Sequence, residues 1–375
     1  MKVDYLIVGA GIQGLVLVDR MRALGLNVCC VERAPYVGSA QTLRSQFYIH
    51  RGHFYTEREL VGQLNNTYWN WQSMVRRLGV RIHSNESYVG FTGDSSPWTN
   101  AWDAEGVPYT RTSKKSGVLQ DHRMQEVFTF PHMLVDGREF LVKLTHINRH
   151  HIRFGDLSNF RHTGRHYRFT LNGEELFARK IIVCAGAGTP AVLDSIEGVE
   201  GSVEVQTRVC QVLVMRDHVP DGSVLVPDAQ MFIAPQYAPD GSPVLLYTYG
   251  TDPVDQEDTR HLDVARVARQ LDALRNTLPA LSRAGSEGTF YLAQKTESAM
   301  LGKGLRPNKA FVERVSDQVL CVLPTKLSLS INAADQVLAL EGIECPGPKS
   351  EHLAGIPPHY GTLPFAHETR GVLHA

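Results

Sequence analysis

The sequence lacks an excess of charge of either sign. Its 38 Lys and Arg residues face 39 Asp and Glu residues, which leaves a formal net charge of −1. This balance removes the main electrostatic basis for binding nucleic acid or an anionic membrane surface. Long hydrophobic runs are also missing, since no stretch approaches the roughly 18 apolar residues of a membrane-spanning helix. We therefore expect no nucleic-acid partner and no integral membrane segment.

Cysteine is scarce and irregularly placed. The six Cys residues form no C-x-x-C pair, which argues against a disulfide framework or a zinc site. Scattered histidines such as His150 and His151 have no acidic or Cys neighbours at ligand spacing, so no metal is expected. Residues 1–4 run directly into the apolar stretch 5–8, which leaves no room for a signal peptide. Together these features predict reduced thiols and a cytoplasmic location.

The chain has 375 residues, of which 43% are hydrophobic, and this is enough for two or three domains with real cores. The period of the apolar residues predicts helices at 15–24, 57–80, 140–144, 262–278 and 326–341. Strands are predicted at 3–8, 28–31, 167–171, 175–179, 180–184, 209–215, 231–234, 243–248 and 318–323. Residues 84–125 show no sustained period and are expected to form irregular structure with short strands. The β-rich runs between 203 and 250 favour an antiparallel sheet.

The most specific motif opens the chain. A strand leads into Gly9-x-Gly11-x-x-Gly14, a helix follows, and the second strand ends at Glu32. This order is that of a dinucleotide-binding βαβ unit. The glycines allow a tight turn and the close approach of a pyrophosphate, and Glu32 would accept hydrogen bonds from ribose hydroxyls. A glycine-rich turn in an unrelated α/β domain is the alternative.

Four further segments, in order, resemble FAD-dependent oxidoreductases of the D-amino-acid oxidase superfamily. Residues 48–55, Y-I-H-R-G-H-F-Y, are similar to the I-H-x-G-x-x-Y stretch of the glycerol-3-phosphate dehydrogenase and 2-hydroxyglutarate oxidase branches. Residues 182–188, I-V-C-A-G-A-G, resemble the strand and turn beside the FAD adenosine. Residues 304–307, G-L-R-P, and 324–328, P-T-K-L-S, resemble the G-x-R-P turn and the G-G-K-L-T segment. The departures are Pro324 and Thr325 in place of two glycines, and Arg51 and His53 where smaller or apolar residues are usual.

The resemblance implies an α/β fold in which a Rossmann-like FAD-binding domain is interleaved with an α+β substrate domain built on an antiparallel sheet. The expected FAD-binding domain comprises 1–47, 131–200 and 300–345. The expected substrate domain comprises 48–130 and 201–299, and 346–375 form a C-terminal tail.

The resemblance also implies an FAD-dependent oxidase or dehydrogenase. We expect it to oxidise a CH–OH centre of a small anionic substrate by hydride transfer to flavin N5. Arg306 would anchor the anionic group, because a guanidinium binds a carboxylate or phosphate through two hydrogen bonds. His50 would act as the general base, with His53 as the second candidate. Tyr249, which shares a strand face with Tyr247, would contact the substrate.

Each of these roles has an alternative. His50 and His53 could support their loop, His50 could be bonded covalently to the flavin, and the two tyrosines could be core residues. The electron acceptor, whether oxygen, a quinone or a carrier protein, leaves no motif. The cofactor contacts expected from the resemblance are Gly9, Gly11, Gly14, Glu32, Arg33, Arg44, Ser45, Gln46, Ala185, Gly186, Thr325, Lys326 and Leu327. Among these, Lys326 before the last helix suits a reduced, anionic flavin.

Other function classes remain open. An amine or amino-acid oxidase of the same superfamily would use the same fold and cofactor. A flavin monooxygenase is disfavoured, because residues 322–326 carry no G-D motif, and a disulfide reductase would need a redox Cys pair. A non-catalytic FAD-binding subunit is the remaining class.

Overall fold

The computed structural model describes residues 1–112, 119, 123–199, 203–216, 220, 222–238, 241–250, 264–281, 288–299, 301–302 and 307–344. Within this part of the chain there are two compact units. Unit 1 comprises Met1–Leu43, Phe140–Thr207 and 295–344, and unit 2 comprises Arg44–Glu139 and Arg208–Gln294. Residues 44–47 and 131–139, expected in the FAD-binding domain, lie in unit 2. Residues 203–207 and 295–299, expected in the substrate domain, lie in unit 1.

The described chain contains both helices and strands, with several runs of consecutive strands. The strands are β1 (Lys2–Val8), β2 (Val28–Glu32), β3 (Tyr48–Ile49), β4 (Ile82–Phe91), β5 (Thr110–Arg111), β6 (Glu126–Val135), β7 (Ile152–Phe154), β8 (Leu157–His162), β9 (Tyr167–Leu171), β10 (Glu174–Val183), β11 (Val205–Met215), β12 (Ser223–Val226), β13 (Met231–Tyr237), β14 (Pro243–Tyr249), β15 (Gly288–Ser298), β16 (Phe311–Ser316) and β17 (Val319–Leu323). The helices are α1 (Ile12–Ala23), α2 (Arg58–Leu78), α3 (Ser96–Ala104), α4 (Gly137–Asn148), α5 (Thr189–Asp194), α6 (Val264–Thr277) and α7 (Ser330–Leu340).

Unit 1 is built on sheet A, whose main strand order is β16-β17-β10-β1-β2-β7. The strands from β17 to β7 are parallel, and β16 is antiparallel to β17. Fully buried side chains such as Leu6, Ile181 and Val319 form the core on one face, and α1 packs against α7. Parallel strands buried on both faces explain why these segments are continuously apolar. The predicted Rossmann-like sheet is confirmed.

Unit 2 is built on sheet B, with the order β15-β11-β14-β13-β12-β4-β6-β3 and β5 paired to β6. Its pairs β11–β14, β13–β14, β12–β13, β4–β6 and β3–β6 are antiparallel, while β12 and β4 are parallel. Residues such as Tyr247 and Leu245 point to one face, where they pack against Val267 of α6. We call this the α6 face. The opposite side, here called the Tyr48 face, carries Tyr48 and Leu246.

Most predicted elements are present, with three corrections. Residues 84–125 are not irregular throughout, because β4 pairs with β6 along its length and α3 covers Ser96–Ala104. The strands predicted at 175–179 and 180–184 are one strand, β10. The last helix begins at Ser330 rather than at 326, because a short 3₁₀ turn, Leu327–Leu329, precedes it.

Two absences follow for the described residues. None of the described helices is long and apolar enough to cross a membrane. The five described cysteines, Cys29, Cys30, Cys184, Cys210 and Cys321, are buried and unpaired.

Candidate active site

The glycine loop between β1 and α1 is packed closely against protein backbone at two of its glycines, Gly9 and Gly14. Gly9 has φ +102°, and a Cβ atom there would lie 2.7 Å from the carbonyl oxygen of Cys184. A Cβ atom on Gly14 would lie 1.9 Å from the carbonyl oxygen of Gly9. Both positions therefore require glycine because the backbone of the loop packs against itself and against the end of β10.

Gly11 differs from its two neighbours in the motif. Its φ of −71° is one that any residue adopts. Among the described residues, the Thr42 hydroxyl oxygen, at 3.3 Å, is the only atom within 4 Å of a Cβ placed there. The Thr42 hydroxyl accepts a hydrogen bond from the Ile12 N–H at 3.0 Å, while helix geometry leaves the next N–H groups, of Gln13 and Gly14, without an intrahelical partner. Open space in front of unpaired amides at a helix N-terminus fits a pyrophosphate group.

Glu32, at the end of β2, holds the loop in place. One carboxylate oxygen accepts a hydrogen bond from the Ala10 N–H at 2.8 Å, and the other accepts one from the Ala34 N–H at 2.9 Å. Each oxygen keeps a further lone pair that could accept a ribose hydroxyl. Arg33, which follows, is exposed. The carboxylate thus orders the loop.

Two other turns of unit 1 carry expected cofactor contacts. Ala185 and Gly186 follow β10, and Gly186 has φ +55°. Thr325 has φ +58°, which is unfavourable for a β-branched residue and stands where the family has glycine. Its hydroxyl donates to the Lys309 carbonyl at 3.1 Å. Lys326 donates to the Pro307 carbonyl at 3.3 Å, and Leu327 begins the 3₁₀ turn, so the lysine precedes that turn and not α7 itself.

Arg44, Ser45 and Gln46 lie in unit 2. The carbonyl of Arg44 accepts a hydrogen bond from the Tyr291 hydroxyl at 3.4 Å. The Ser45 hydroxyl accepts from the Phe47 N–H at 3.3 Å, and the Gln46 carbonyl accepts from the Gln236 amide at 3.1 Å. Their backbone is therefore fixed by sheet B and by the local turn.

Histidines and one tyrosine gather on the Tyr48 face of sheet B. The Tyr48 ring is stacked with the His50 ring at a centroid distance of 5.2 Å, and the His132 ring lies 4.9 Å away. The Tyr48 hydroxyl is hydrogen-bonded to His53 Nε2 at 2.5 Å and to the Ser87 hydroxyl at 2.6 Å. The structure thus brings His50 and His53 together and adds His132 from β6. We call His50, His53, His132 and Tyr48 the histidine cluster.

Burial governs the protonation of this cluster. Burial lowers the pKa of His53 well below its usual value, and the nearby charge of His50 adds to the effect. Burial likewise lowers the pKa of His132 to about 3, and it raises the pKa of Tyr48 well above its usual value. All three groups are therefore neutral near pH 7, because a charged form would lose its hydration.

His50 has a defined tautomer. Its Nδ1 atom accepts a hydrogen bond from the Gly52 N–H at 3.1 Å. A ring nitrogen that accepts a hydrogen bond carries no proton, so neutral His50 bears its proton on Nε2. In this state His50 is a hydrogen-bond donor through Nε2, and its general-base role stays a prediction.

The two residues expected to contact the substrate, Arg306 and Tyr249, are not found at the histidine cluster in the described part of the chain. Arg306 lies outside the described residues, so its role stays a prediction. Tyr249 is half-buried against the apolar cluster of the α6 face, and its neighbour Tyr247 donates a hydrogen bond to the Gln270 carbonyl of α6 at 3.0 Å. This is the side of sheet B opposite to the histidine cluster. Tyr249 therefore belongs with the α6 packing rather than with the cluster.

Sequence reasoning assigned no role to His132, Ser87 or Tyr48. His132 shares the alternating pattern of Phe128, Phe130 and Leu134 on β6, so its face could be predicted. Its partners come from other strands, and the Ser223 hydroxyl that bonds to it at 3.2 Å lies 91 residues away. In the described part of the chain no group of three or more His, Cys, Asp or Glu residues is placed to hold a metal ion.

Comparison with known proteins agrees with the loop geometry. The family model described as FAD dependent oxidoreductase matches residues 4–312. The chain belongs to this family. It is an FAD-dependent oxidoreductase, and the glycine loop, Glu32 and the first turn of α1 are the residues that would hold the FAD.

Individual relatives are distant in sequence and similar in fold. A probable FAD-dependent oxidoreductase of Pseudomonas aeruginosa, PA4991, is 24% identical over 363 residues, which are 90% of each protein. Its crystal structure covers 97% of this chain and 96% of its own, with a TM-score of 0.70 and 22% identity. The structure of L-α-glycerophosphate oxidase of Mycoplasma pneumoniae, solved with FAD bound, aligns over 95% of this chain and 100% of its own, with a TM-score of 0.71 and 16% identity. The structure of glycine oxidase of Geobacillus kaustophilus aligns over 92% of this chain and 95% of its own, with a TM-score of 0.69 and 14% identity.

Proposed function

We propose that the enzyme oxidises the CH–NH centre of a small anionic substrate of the amino-acid class. FAD, when bound, supplies the acceptor for the hydrogen and the two electrons. The observation that supports an amine over an alcohol is the hydrogen bond from the Gly52 N–H to His50 Nδ1. The CH–OH reaction expected from the sequence stands as the second candidate.

The two reactions differ in their need for a base. An alcohol must lose its hydroxyl proton as hydride leaves carbon, whereas an amine can bind already neutral. His50 has its Nδ1 lone pair engaged and its proton on Nε2. Burial makes His53 and His132 weak bases. Within the histidine cluster, therefore, no imidazole is prepared to take a proton from a hydroxyl group.

The residues have matching tasks in the amine reaction. The Nε2–H of His50 can donate to a carboxylate oxygen of the substrate. Arg306, from the G-x-R-P segment, would bind the same carboxylate through its planar guanidinium. Both contacts orient the substrate without removing a proton, and this is what oxidation of a neutral amine requires.

The alcohol reaction is supported by the I-H-x-G-x-x-Y match at 48–55 and by the fold similarity to the glycerophosphate oxidase. For His50 to serve as its base, the Gly52 N–H would have to leave Nδ1 so that the proton could move there. This requirement makes the two candidates separable by experiment.

Matched substrate pairs test the proposal. FAD-loaded enzyme is mixed without oxygen with glycine and glycolate, and with each enantiomer of alanine and lactate, while flavin absorbance is followed. We expect faster reduction by an amino acid, at a rate that rises with pH as the substrate ammonium group is deprotonated. Faster reduction by a hydroxy acid, with a loss of roughly 10²-fold in His50→Asn, would establish the alcohol reaction instead.

Arg306 is tested separately. Arg306→Ala should lower kcat/KM by roughly 10²-fold while the flavin spectrum stays unchanged, because the two charge-assisted hydrogen bonds from the guanidinium to the substrate carboxylate would be lost. Lys309→Ala removes an exposed cation from the same segment and is the matched control. Activity of Arg306→Ala within about twofold of the parent would remove the anchor role.

A further inference from the structure

The loop that joins β3 to α2 carries His50, and helix α2 fixes the two residues that follow it. These are Arg51, which is only 4% exposed, and Gly52. Neither contact was expected from the sequence, where Arg51 is a departure from the family pattern. Together they determine the backbone next to the His50 ring.

Arg51 lies on one face of α2. Its guanidinium carbon is 4.0 Å from the ring centroid of Tyr68 and 4.4 Å from that of Trp69. Its Nη1 atom donates a hydrogen bond to Asn65 Oδ1 at 3.0 Å. Residues 65, 68 and 69 are spaced by three and four positions, so they form a continuous surface on the helix.

This contact is directional. No carboxylate among the described residues pairs with Arg51, so the charge is balanced by aromatic faces and by one amide oxygen. The Asn65 amide also donates to the Glu105 carbonyl at 3.0 Å, which orients its oxygen toward Arg51. Only a planar guanidinium can lie over aromatic faces and donate in its own plane at the same time.

Gly52 continues the attachment by one residue. It has φ +91°, and a Cβ atom there would lie 2.8 Å from the Cα of Val61 on α2. The N–H of the same residue is the donor to His50 Nδ1. The peptide between Arg51 and Gly52 is thus held by α2 on both sides and supplies the hydrogen bond that sets the His50 tautomer.

We propose that Arg51 is a positioning residue for His50: its contact with Asn65, Tyr68 and Trp69 holds the Gly52 N–H against Nδ1 and keeps the imidazole proton on Nε2. The inference concerns the state of the ring and depends on the proposed function only for what that ring does with substrate. Arg51 acts through the backbone and needs no contact with substrate.

Imidazole nitrogen NMR of the FAD-loaded enzyme tests this directly. With ¹⁵N-labelled histidine, the His50 signals are identified by their absence in His50→Asn. The parent should show an unprotonated Nδ1 and a protonated Nε2. Arg51→Met and Arg51→Lys should give mixed tautomers, and flavin reduction should slow on the order of tenfold as orientation is lost. Parent-like His50 signals in Arg51→Met would overturn the proposal.

Further variants keep the test decisive. Trp69 is 56% exposed, so Trp69→Leu removes one aromatic face at the surface, and it should shift the tautomer in the same direction. If Arg51→Met does not fold, an unchanged tautomer in Trp69→Leu contradicts the proposal. Arg58→Met is the control and should leave the signals unchanged, because it removes a largely exposed arginine of α2 that pairs with Glu105, beyond the end of α3. Failure of the substrate pairs would affect only the proposed function, because the NMR readout needs no substrate.

Discussion

At the scale of single residues, the three glycines of one motif exist for different physical reasons. Gly9 and Gly14 are required by contacts within the protein, since a Cβ atom at either position would meet backbone atoms at 2.7 Å or less. Gly11 has no such contact, and the space beside it fits the cofactor. The motif therefore combines a folding requirement with a binding requirement, and substitution can separate them.

Gly14→Ala and Gly11→Ala make the same chemical change and should have different results. Gly14→Ala forces the loop open against the Gly9 carbonyl and should lower the apoprotein free energy of unfolding by about 1–3 kcal/mol. Gly11→Ala should leave that stability nearly unchanged but weaken FAD binding, because the methyl group occupies pyrophosphate space. Denaturant unfolding of the apoprotein and fluorescence titration with FAD measure the two effects. Parent-like FAD affinity in Gly11→Ala would contradict the placement of the pyrophosphate.

The buried histidines make the fold sensitive to acid. The pKa of His53 and that of His132 are lowered in the folded chain, the latter to about 3, while unfolded histidine titrates near 6.5. The unfolded state therefore binds more protons below about pH 6.5, and stability falls as pH decreases. Above that value the full stability is present. Each of the two histidines should contribute a loss of about 1.4 kcal/mol per pH unit.

Denaturant unfolding at pH 7.5 and pH 5.5 measures this loss. His132→Gln should lose about 1.4 kcal/mol less than the parent between these two values. His162→Gln, which replaces an exposed histidine, serves as the control and should behave as the parent does. An equal loss in the parent and in His132→Gln would exclude a linked proton at this site.

At the scale of elements, segments with a regular apolar pattern could be predicted from the sequence, whereas strands that bury polar side chains could not. The stripe of α2 and its end at Gly79, which has φ +60°, could be read from spacing alone. The segment that became β4 could not, because His83, Ser84 and Ser87 fill buried positions of that strand with polar side chains. The Ser87 side chain can be buried because its hydroxyl is hydrogen-bonded to Tyr48. This partner is distant in the sequence, so only the structure reveals the hydrogen bond.

The same contrast applies to the candidate site. The residues of the glycine loop are contiguous, so their roles followed from one motif. The His50 tautomer depends on the backbone N–H of Gly52 and on the packing of α2, and neither has a sequence signature. The sequence thus located the histidine but not the hydrogen bond that its Nδ1 accepts.

Helix α4 offers a test of element packing. It begins at Gly137, where a Cβ atom would lie 2.1 Å from the ring of Phe47. Phe47 itself has φ +50°, so its ring has little freedom to move away. Gly137→Ala should lower the free energy of unfolding by about 1–3 kcal/mol through overpacking, measured by denaturant unfolding. Gly93→Ala is a matched control, because neither glycine has a positive φ and the nearest atom to a Cβ on Gly93 lies at 3.8 Å; an equal effect in both variants would exclude overpacking against Phe47 as the cause.

At the scale of the whole molecule, unit 1 is assembled from three separate stretches of chain. Strand β1 pairs with β2 and with β10, and β10 pairs with β17. The parallel sheet that presents the glycine loop is therefore complete only when residues from the last part of the chain have joined it. Long-range strand pairing of this kind makes folding slow.

Truncation should reveal this dependence. A chain that ends at residue 318 lacks β17 and leaves one edge of β10 without its partner. We expect it to bind no FAD in a fluorescence titration, because the end of β10 also packs against Gly9 of the loop. A chain that ends at residue 344 keeps every described element and should bind FAD as the parent does. Binding by the shorter chain would show that β1, β2 and β10 suffice.

The late arrival of β17 has a consequence for the protein as it is made. A ribosome delivers the N-terminal residues first, so the glycine loop leaves it while more than half of sheet A has yet to be synthesised. Until β10 and β17 emerge, β1 can pair only with β2, and its other edge is open to wrong partners and to chaperones. We therefore expect flavin capture to wait until β17 has been synthesised. A chain interrupted before β17 should stay colourless, so that yellow colour marks the chains in which sheet A has been completed.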